Sequence, residues 1–70
     1  MEIFTIMADA LTKAANSKSR KGVLFTIQRL DIQYNNKTDE YKARVTIGTE
    51  GFENQMVFDI NDNGSIERVK

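Results

Sequence analysis

The chain contains no cysteine, no histidine, no proline and no tryptophan. Without cysteine there is no disulfide, thiolate nucleophile or thiolate metal site, a usage that fits a reducing compartment. The loss of histidine as well removes the commonest general base and the usual zinc ligands. Long apolar runs are missing too. No segment therefore reads as a membrane span, and the start at Met1 lacks the basic and apolar regions of a secretory leader. The expectation is a cytoplasmic protein that does not engage membranes. Ten acidic residues cancel ten basic ones, which argues against a general polyanion binder and against a nucleic-acid mimic.

What the sequence does carry is alternation. Tyr41, Ala43, Val45 and Ile47 are interleaved with Lys42, Arg44 and Thr46, the pattern of a strand buried on one face. Met56, Phe58 and Ile60 repeat it. A turn on Thr49-Glu50-Gly51-Phe52 sets Val45 opposite Met56, Ala43 opposite Phe58 and Tyr41 opposite Ile60. The same register brings Lys42 across from Asp59, an opposite-charge pair on the other face.

Seventy residues suffice for one domain, 1–70, burying about 60% of the surface its unfolded form exposes. A single core of that size supplies roughly 3–5 kcal/mol. Residues from Glu2 to about Asn16 read as an amphipathic helix, with Ile3, Phe4, Met7, Leu11 and Ala14 on the dry side and Thr5, Asp9, Thr12 and Asn16 on the wet side. Alanines 8, 10, 14 and 15 favour helix and allow a sheet to approach. Ser17 to Gly22 ends the helix and holds the chain's one basic cluster, Lys18, Arg20 and Lys21, placed to complement the helix dipole.

Val23 to Tyr34 reads as a long strand whose apolar phase shifts at Gln28-Arg29, the signature of a β-bulge. After the polar turn Asn35–Glu40, Tyr34 faces Tyr41, Ile32 faces Ala43, Leu30 faces Val45 and Asp31 faces Arg44. A final short strand follows a three-residue loop on Asp62-Asn63 with Gly64 left-handed, pairing Ile60 with Ile66, Val57 with Val69 and Asp59 with Glu67, a like-charge contact that Lys42 and Arg68 could screen. The predicted fold is α+β in two layers, α-β-β-β-β, one N-terminal helix on a three- to four-stranded antiparallel meander. A helix followed by hairpins, with the run Met56–Lys70, resembles PepSY-type modules in outline, without a diagnostic residue of that family.

Three constellations could carry function. Residues 59–67, Asp59-Ile60-Asn61-Asp62-Asn63-Gly64-Ser65-Ile66-Glu67, resemble the opening of an EF-hand calcium loop, with oxygen ligands at alternate positions and a glycine at the turn. The position of its bidentate glutamate is Lys70, however, and Gly48 and Gly51 would break an entering helix. A β-turn is therefore the expected structure there, and no metal is assigned. The basic end, Lys18, Arg20 and Lys21 with Lys13, is the candidate nucleic-acid contact. The sheet itself is a poor platform for bases, because Phe25, Tyr34, Tyr41 and Phe58 all fall on the helix-covered side.

The third is an overhanging strand edge at Val23, Leu24 and Phe25, with backbone groups free to recruit another strand. No residue is assigned to catalysis, since the serines lack a histidine to activate them and the four glycines are scattered singly. No cofactor is expected. The sequence favours a small non-catalytic protein-binding module, a regulator or inhibitor of phage or mobile-element type, whose partner is another protein or a second copy forming a homodimer. The alternative is a nucleic-acid-associated protein, and weak calcium binding at 59–67 is the third reading.

Overall fold

The computed structural model describes residues 2–19, 22–51 and 54–70. Helix α1 (Ile3–Lys18) is followed by strands β1 (Thr26–Asn35), β2 (Glu40–Gly48), β3 (Met56–Asn61) and β4 (Ile66–Arg68). The four strands form one antiparallel sheet in the order β1-β2-β3-β4, so the α+β meander read from the pattern is the fold observed.

The core lies where α1 crosses the middle of the sheet. Phe4 and Ala8 from the helix meet Ala43, Val45 and Ile47 from β2 and Ile60 from β3, with Met7, Leu11, Ile27, Leu30, Met56 and Phe58 packed around them. Ala8 is fully buried, and its missing bulk lets the helix sit close to β2. The inward stripe is therefore Phe4–Ala8–Leu11–Ala15, rotated from the expected one. Ile3 and Ala14 stand outside it, exposed. Alternation of side chains alone could not distinguish these rotations, because alanines occupy both flanks of the helix.

At its C-terminal end α1 runs two residues past the expected Asn16, to Lys18. Polar side chains then fasten the connection to β1. The Asn16 Oδ1 accepts the Phe25 N–H at 2.6 Å, its Nδ2 donates to the Phe25 carbonyl at 3.1 Å, and the Ser19 hydroxyl donates to the Val23 carbonyl at 2.8 Å. Gly22, just before this segment, has φ +87°. We expect Asn16→Ala to cost about 1–3 kcal/mol, since it strands two backbone groups at once. Thermal melting should show the drop, and Asn16→Ala with an unchanged midpoint would mean the clamp is idle.

The register between β1 and β2 is the predicted one, with Tyr34 opposite Tyr41, Ile32 opposite Ala43, Leu30 opposite Val45 and Asp31 opposite Arg44. The bulge is present as well: pairing steps from Ile27–Ile47 to Arg29–Thr46 and leaves Gln28 unpaired. Its side chain is put to use, since Gln28 Nε2 donates to the Thr49 carbonyl at 2.9 Å and Gln28 Oε1 accepts from Gln55 at 2.8 Å. The bulged residue thus ties down both ends of the β2–β3 loop.

Between β2 and β3 the register differs from the expected one by two residues. Ala43 faces Ile60, Val45 faces Phe58, Ile47 faces Met56 and Arg44, not Lys42, faces Asp59. A slip of two keeps every side chain on its predicted face, so the apolar pattern is blind to it. What selects the observed register is burial and charge geometry. It brings Ile60 beside Ala43 under the helix, where it is fully buried, and gives Asp59 an arginine that can bind both carboxylate oxygens. The loop is correspondingly longer than the predicted tight turn. Its Gly51 has φ +90°, and Phe52 lies outside the described residues.

The last hairpin matches its prediction. Ile60 faces Ile66 and Asp59 faces Glu67, the Val69 N–H donates to the Val57 carbonyl, and Gly64 sits at φ +93° behind a hydrogen bond from its N–H to the Asn61 carbonyl. Arg68 cannot screen Glu67 as proposed. It projects to the helix side, beside Leu11 and Phe58, and its Nε donates to the Lys70 carbonyl.

Candidate functional site

The molecule is long and narrow, 43 × 19 × 19 Å. A 16-residue helix spans about 24 Å at helical rise, roughly half of that length. The helix begins near the β3–β4 turn, where Met7 approaches Gly64, and ends near Phe25. β3 stops at Asn61, opposite Lys42. Past that level the β1–β2 hairpin continues as a two-stranded arm through Tyr34–Tyr41 and Asn35–Glu40 to a polar tip.

The arm, and Ile32 at its base, carry apolar side chains that the described residues cover only by about half. Ile32 keeps 43% of its surface exposed, and Tyr34 and Tyr41 keep 51% each. Both tyrosines lie on the helix side of the sheet, as the alternation required, but beyond the end of the helix. The expectation that all aromatics are helix-covered is corrected on that point. The helix is too short to roof the strands it packs on.

Side-chain contacts brace the arm. The Tyr34 and Tyr41 rings pack against each other with centroids 4.9 Å apart, a contact across directly opposed residues. The Tyr34 hydroxyl donates to Asp39 at 2.6 Å, and this bond to a carboxylate pushes the phenol pKa up, because ionisation would break it. Asp39 itself sits at φ 56°, a left-handed position in the turn that aspartate tolerates better than most residues. On the β3 side, the Tyr41 N–H donates to Asp62 at 3.2 Å. One flank of the arm is therefore tied to the body of the protein.

The other flank is the outer edge of β1. The sheet order makes β1 a terminal strand, and among the described residues only β2 hydrogen-bonds its backbone. By contrast β4, the opposite edge, is only three residues long, one of the ways sheets blunt an edge.

The candidate residues from the sequence fall elsewhere. Val23, Leu24 and Phe25 precede β1, which begins at Thr26, so the strand is shorter at its start than predicted. The Phe25 N–H and carbonyl are engaged by Asn16, and the Val23 carbonyl by Ser19. Leu24 points outward, 71% exposed. Of the basic cluster, Lys18 closes the last turn of α1 and, with Arg68, flanks an apolar groove of about 450 Å³ lined by Leu11, Ala15, Phe25, Met56 and Phe58. Arg20 and Lys21 lie outside the described residues. Lys13 is exposed on the outward side of the helix.

The calcium-like run is spread over the β3–β4 hairpin. Asp59 bonds Arg44, Asn61 donates to the Ser65 hydroxyl, Asp62 accepts from Tyr41 and Asn63 accepts from Ser65. Among the described residues no three acidic side chains converge on a metal-sized gap. No helix among the described residues is long and apolar enough to cross a membrane.

The open face of the sheet holds a row of charges that the sequence only partly foretold. Asp31, Arg44, Asp59 and Glu67 stand side by side on the four strands. Arg44 Nε and Nη2 donate to Asp59 at 2.8 and 3.1 Å, Lys42 lies 4.0 Å away, and Asp31 is taken by Arg29 at 2.6 Å. Asp59 is the one buried charged side chain of the described residues, flanked by two cations. The Arg44 bond holds its carboxyl below the usual carboxylate range, against the opposing effect of burial. With every hydrogen-bond partner cationic, Asp59 is built to stay ionised, a structural anion more than a proton carrier.

Compared with family models, curated proteins and solved structures, the chain matches none.

Proposed function

We propose that this chain is a non-catalytic protein-binding module, a small regulator or inhibitor that acts through contact with another polypeptide. The observation that carries the reading is the arm. Ile32, Tyr34 and Tyr41 are half-exposed and neighbouring, the two tyrosine rings packed on each other, next to a terminal strand edge. Tyrosines held on few rotatable bonds are the side chains that dominate protein contacts, and bare strand edges recruit strands. The acidic side chains with resolved partners are occupied by arginine, lysine, tyrosine or backbone groups, which suits structure over acid–base work.

The test compares the wild-type chain with Tyr41→Asp as baits in affinity capture. Tyr41 belongs to β2, so its replacement removes half of the tyrosine pair while leaving the outward backbone groups of β1 in place. The expected result is a retained protein that Tyr41→Asp loses at both low and high salt. Equal retention by both baits overturns the reading. Retention that instead collapses steeply with salt and depends on Lys18 identifies phosphate contacts and transfers the function to nucleic acid.

A further inference from the structure

We propose that the outer edge of β1 pairs antiparallel with the same edge of a second copy, on a two-fold axis through Ile32. The proposal rests on the reading that the chain acts by protein contact, and it names one occupant of one edge.

The sequence of the edge selects this arrangement. If both helices are to lie on the same side of one continuous sheet, opposed residues must point to the same face, so the axis must pass through a residue. An axis at Leu30 drives the Gln28 bulge into the middle of the ladder, and a bulge interrupts pairing. An axis at Asp31 sets that carboxylate against its own copy, which is destabilising for directly opposed like charges. An axis at Gln33 leaves only Asp31 to Asn35 to pair.

The axis at Ile32 uses the whole regular stretch from Arg29 to Asn35. On the helix side it sets Ile32 against Ile32 and Leu30 against Tyr34, in both directions. On the open side it sets Asp31 against Gln33 and Arg29 against Asn35, so no like charges meet. The exposed faces of Ile32 and Tyr34 would then rest on apolar neighbours, and each projecting arm would lie along the body of the other copy. The features that left the arm bare in one chain are the ones that match in two.

A seven-residue ladder spans about 24 Å and lies at the small end of specific interfaces, so the association is sought at micromolar chain concentration. Sedimentation across micromolar concentrations should show the 8.0 kDa chain shifting to twice that mass. Because the chain has no cysteine, a single introduced thiol reports the register directly. Opposed residues in an antiparallel ladder have Cα atoms about 4.5–5.5 Å apart, within the span a disulfide bridges.

Ile32→Cys should therefore crosslink to a covalent dimer under mild oxidation. Leu30→Cys and Tyr34→Cys should crosslink with each other when mixed and far less with themselves. Leu24→Cys and Ile6→Cys, both at exposed positions off the edge, serve as collision controls. Circular dichroism of each reduced variant confirms that it is folded.

A mass that stays at 8.0 kDa, with Ile32→Cys crosslinking no faster than Ile6→Cys, overturns the proposal. Preferential crosslinking of Leu24→Cys overturns it too, by moving the contact to the segment before β1. A monomer whose Tyr41-dependent capture persists removes the second copy and leaves the protein-binding reading standing. A crosslinked dimer without such capture leaves the self-contact and removes the foreign partner.

Discussion

Replacing Ile47 by alanine should leave the chain largely unfolded at 37 °C. Ile47 is fully buried on the central strand, opposite Ile27 on one side and Met56 on the other. Removing three buried carbons costs about 2–5 kcal/mol, the transfer free energy plus the cavity left behind. A 70-residue domain with one core holds only about 3–5 kcal/mol in all. The single change is thus comparable to the whole margin. Urea denaturation followed by far-UV circular dichroism decides it, with Leu24→Ala as the comparison. Leu24 is 71% exposed, and its truncation should shift stability by less than about 0.5 kcal/mol. Equal loss in the two variants would mean the core is not where Ile47 lies.

Ile47 also shows how far the sequence reaches. Its face could be read, because a period-two pattern assigns every residue of β2 to one side or the other. Its partner on β3 could not. The expected hairpin placed Val45 across from Met56, whereas the observed one places Ile47 there, and both keep the same residues on the inside. Distinguishing them takes knowledge of what each register buries and of the loop ends it leaves to be held, and those ends bond Gln28, a residue 21 positions before the Thr49 carbonyl it binds. The bulge at Gln28 was legible from the phase shift. That its side chain would anchor a distant loop was not, since nothing local marks a glutamine for that role.

The candidate site was hidden for a related reason. Alternation puts Tyr34 and Tyr41 on the helix side, and a helix side is ordinarily covered. Whether it is covered depends on two lengths measured along the same axis, about 24 Å of helix against a 43 Å molecule. The predicted helix, at about 1.5 Å per residue, is already much shorter than the predicted first strand, at about 3.3 Å per residue. The predicted edge at Val23–Phe25 erred in the other direction. Counting strand residues gave an overhang, but Asn16 and Ser19 bind the backbone of that segment from the helix end. In the sequence Asn16 reads as helix surface and Ser19 as helix exit, with nothing local to mark either for that role.

Acidification should destabilise the fold through Asp59, and Asp59→Asn should remove much of that dependence. The carboxyl is held below its ordinary range first by the Arg44 bond and further by the charges of Arg44 and Lys42, with burial opposing them. A carboxylate whose folded pKa is depressed contributes its full stabilisation above the unfolded value of about 3.9. That contribution is lost as pH falls through the lower, folded value. The Asp59 contribution is therefore flat above about pH 5 and declines below it. The asparagine variant can still accept one hydrogen bond but has no charge, so at neutral pH it should be less stable by about 1.5–3 kcal/mol, the worth of hydrogen bonds to a charged group. The two melting curves should converge as pH falls.

The partners should rank by geometry. Arg44→Lys, which cannot reach both oxygens in a planar fork, should lose more than Lys42→Ala, whose ammonium stands 4.0 Å away. Glu67, directly opposite Asp59 and with no ion pair among the described residues, works against the pair, and Glu67→Gln should raise the neutral-pH melting point slightly. A wild-type and an Asp59→Asn chain with parallel acid limbs would place the acid sensitivity on other carboxylates and reduce the Arg44–Asp59 contact to a surface pair.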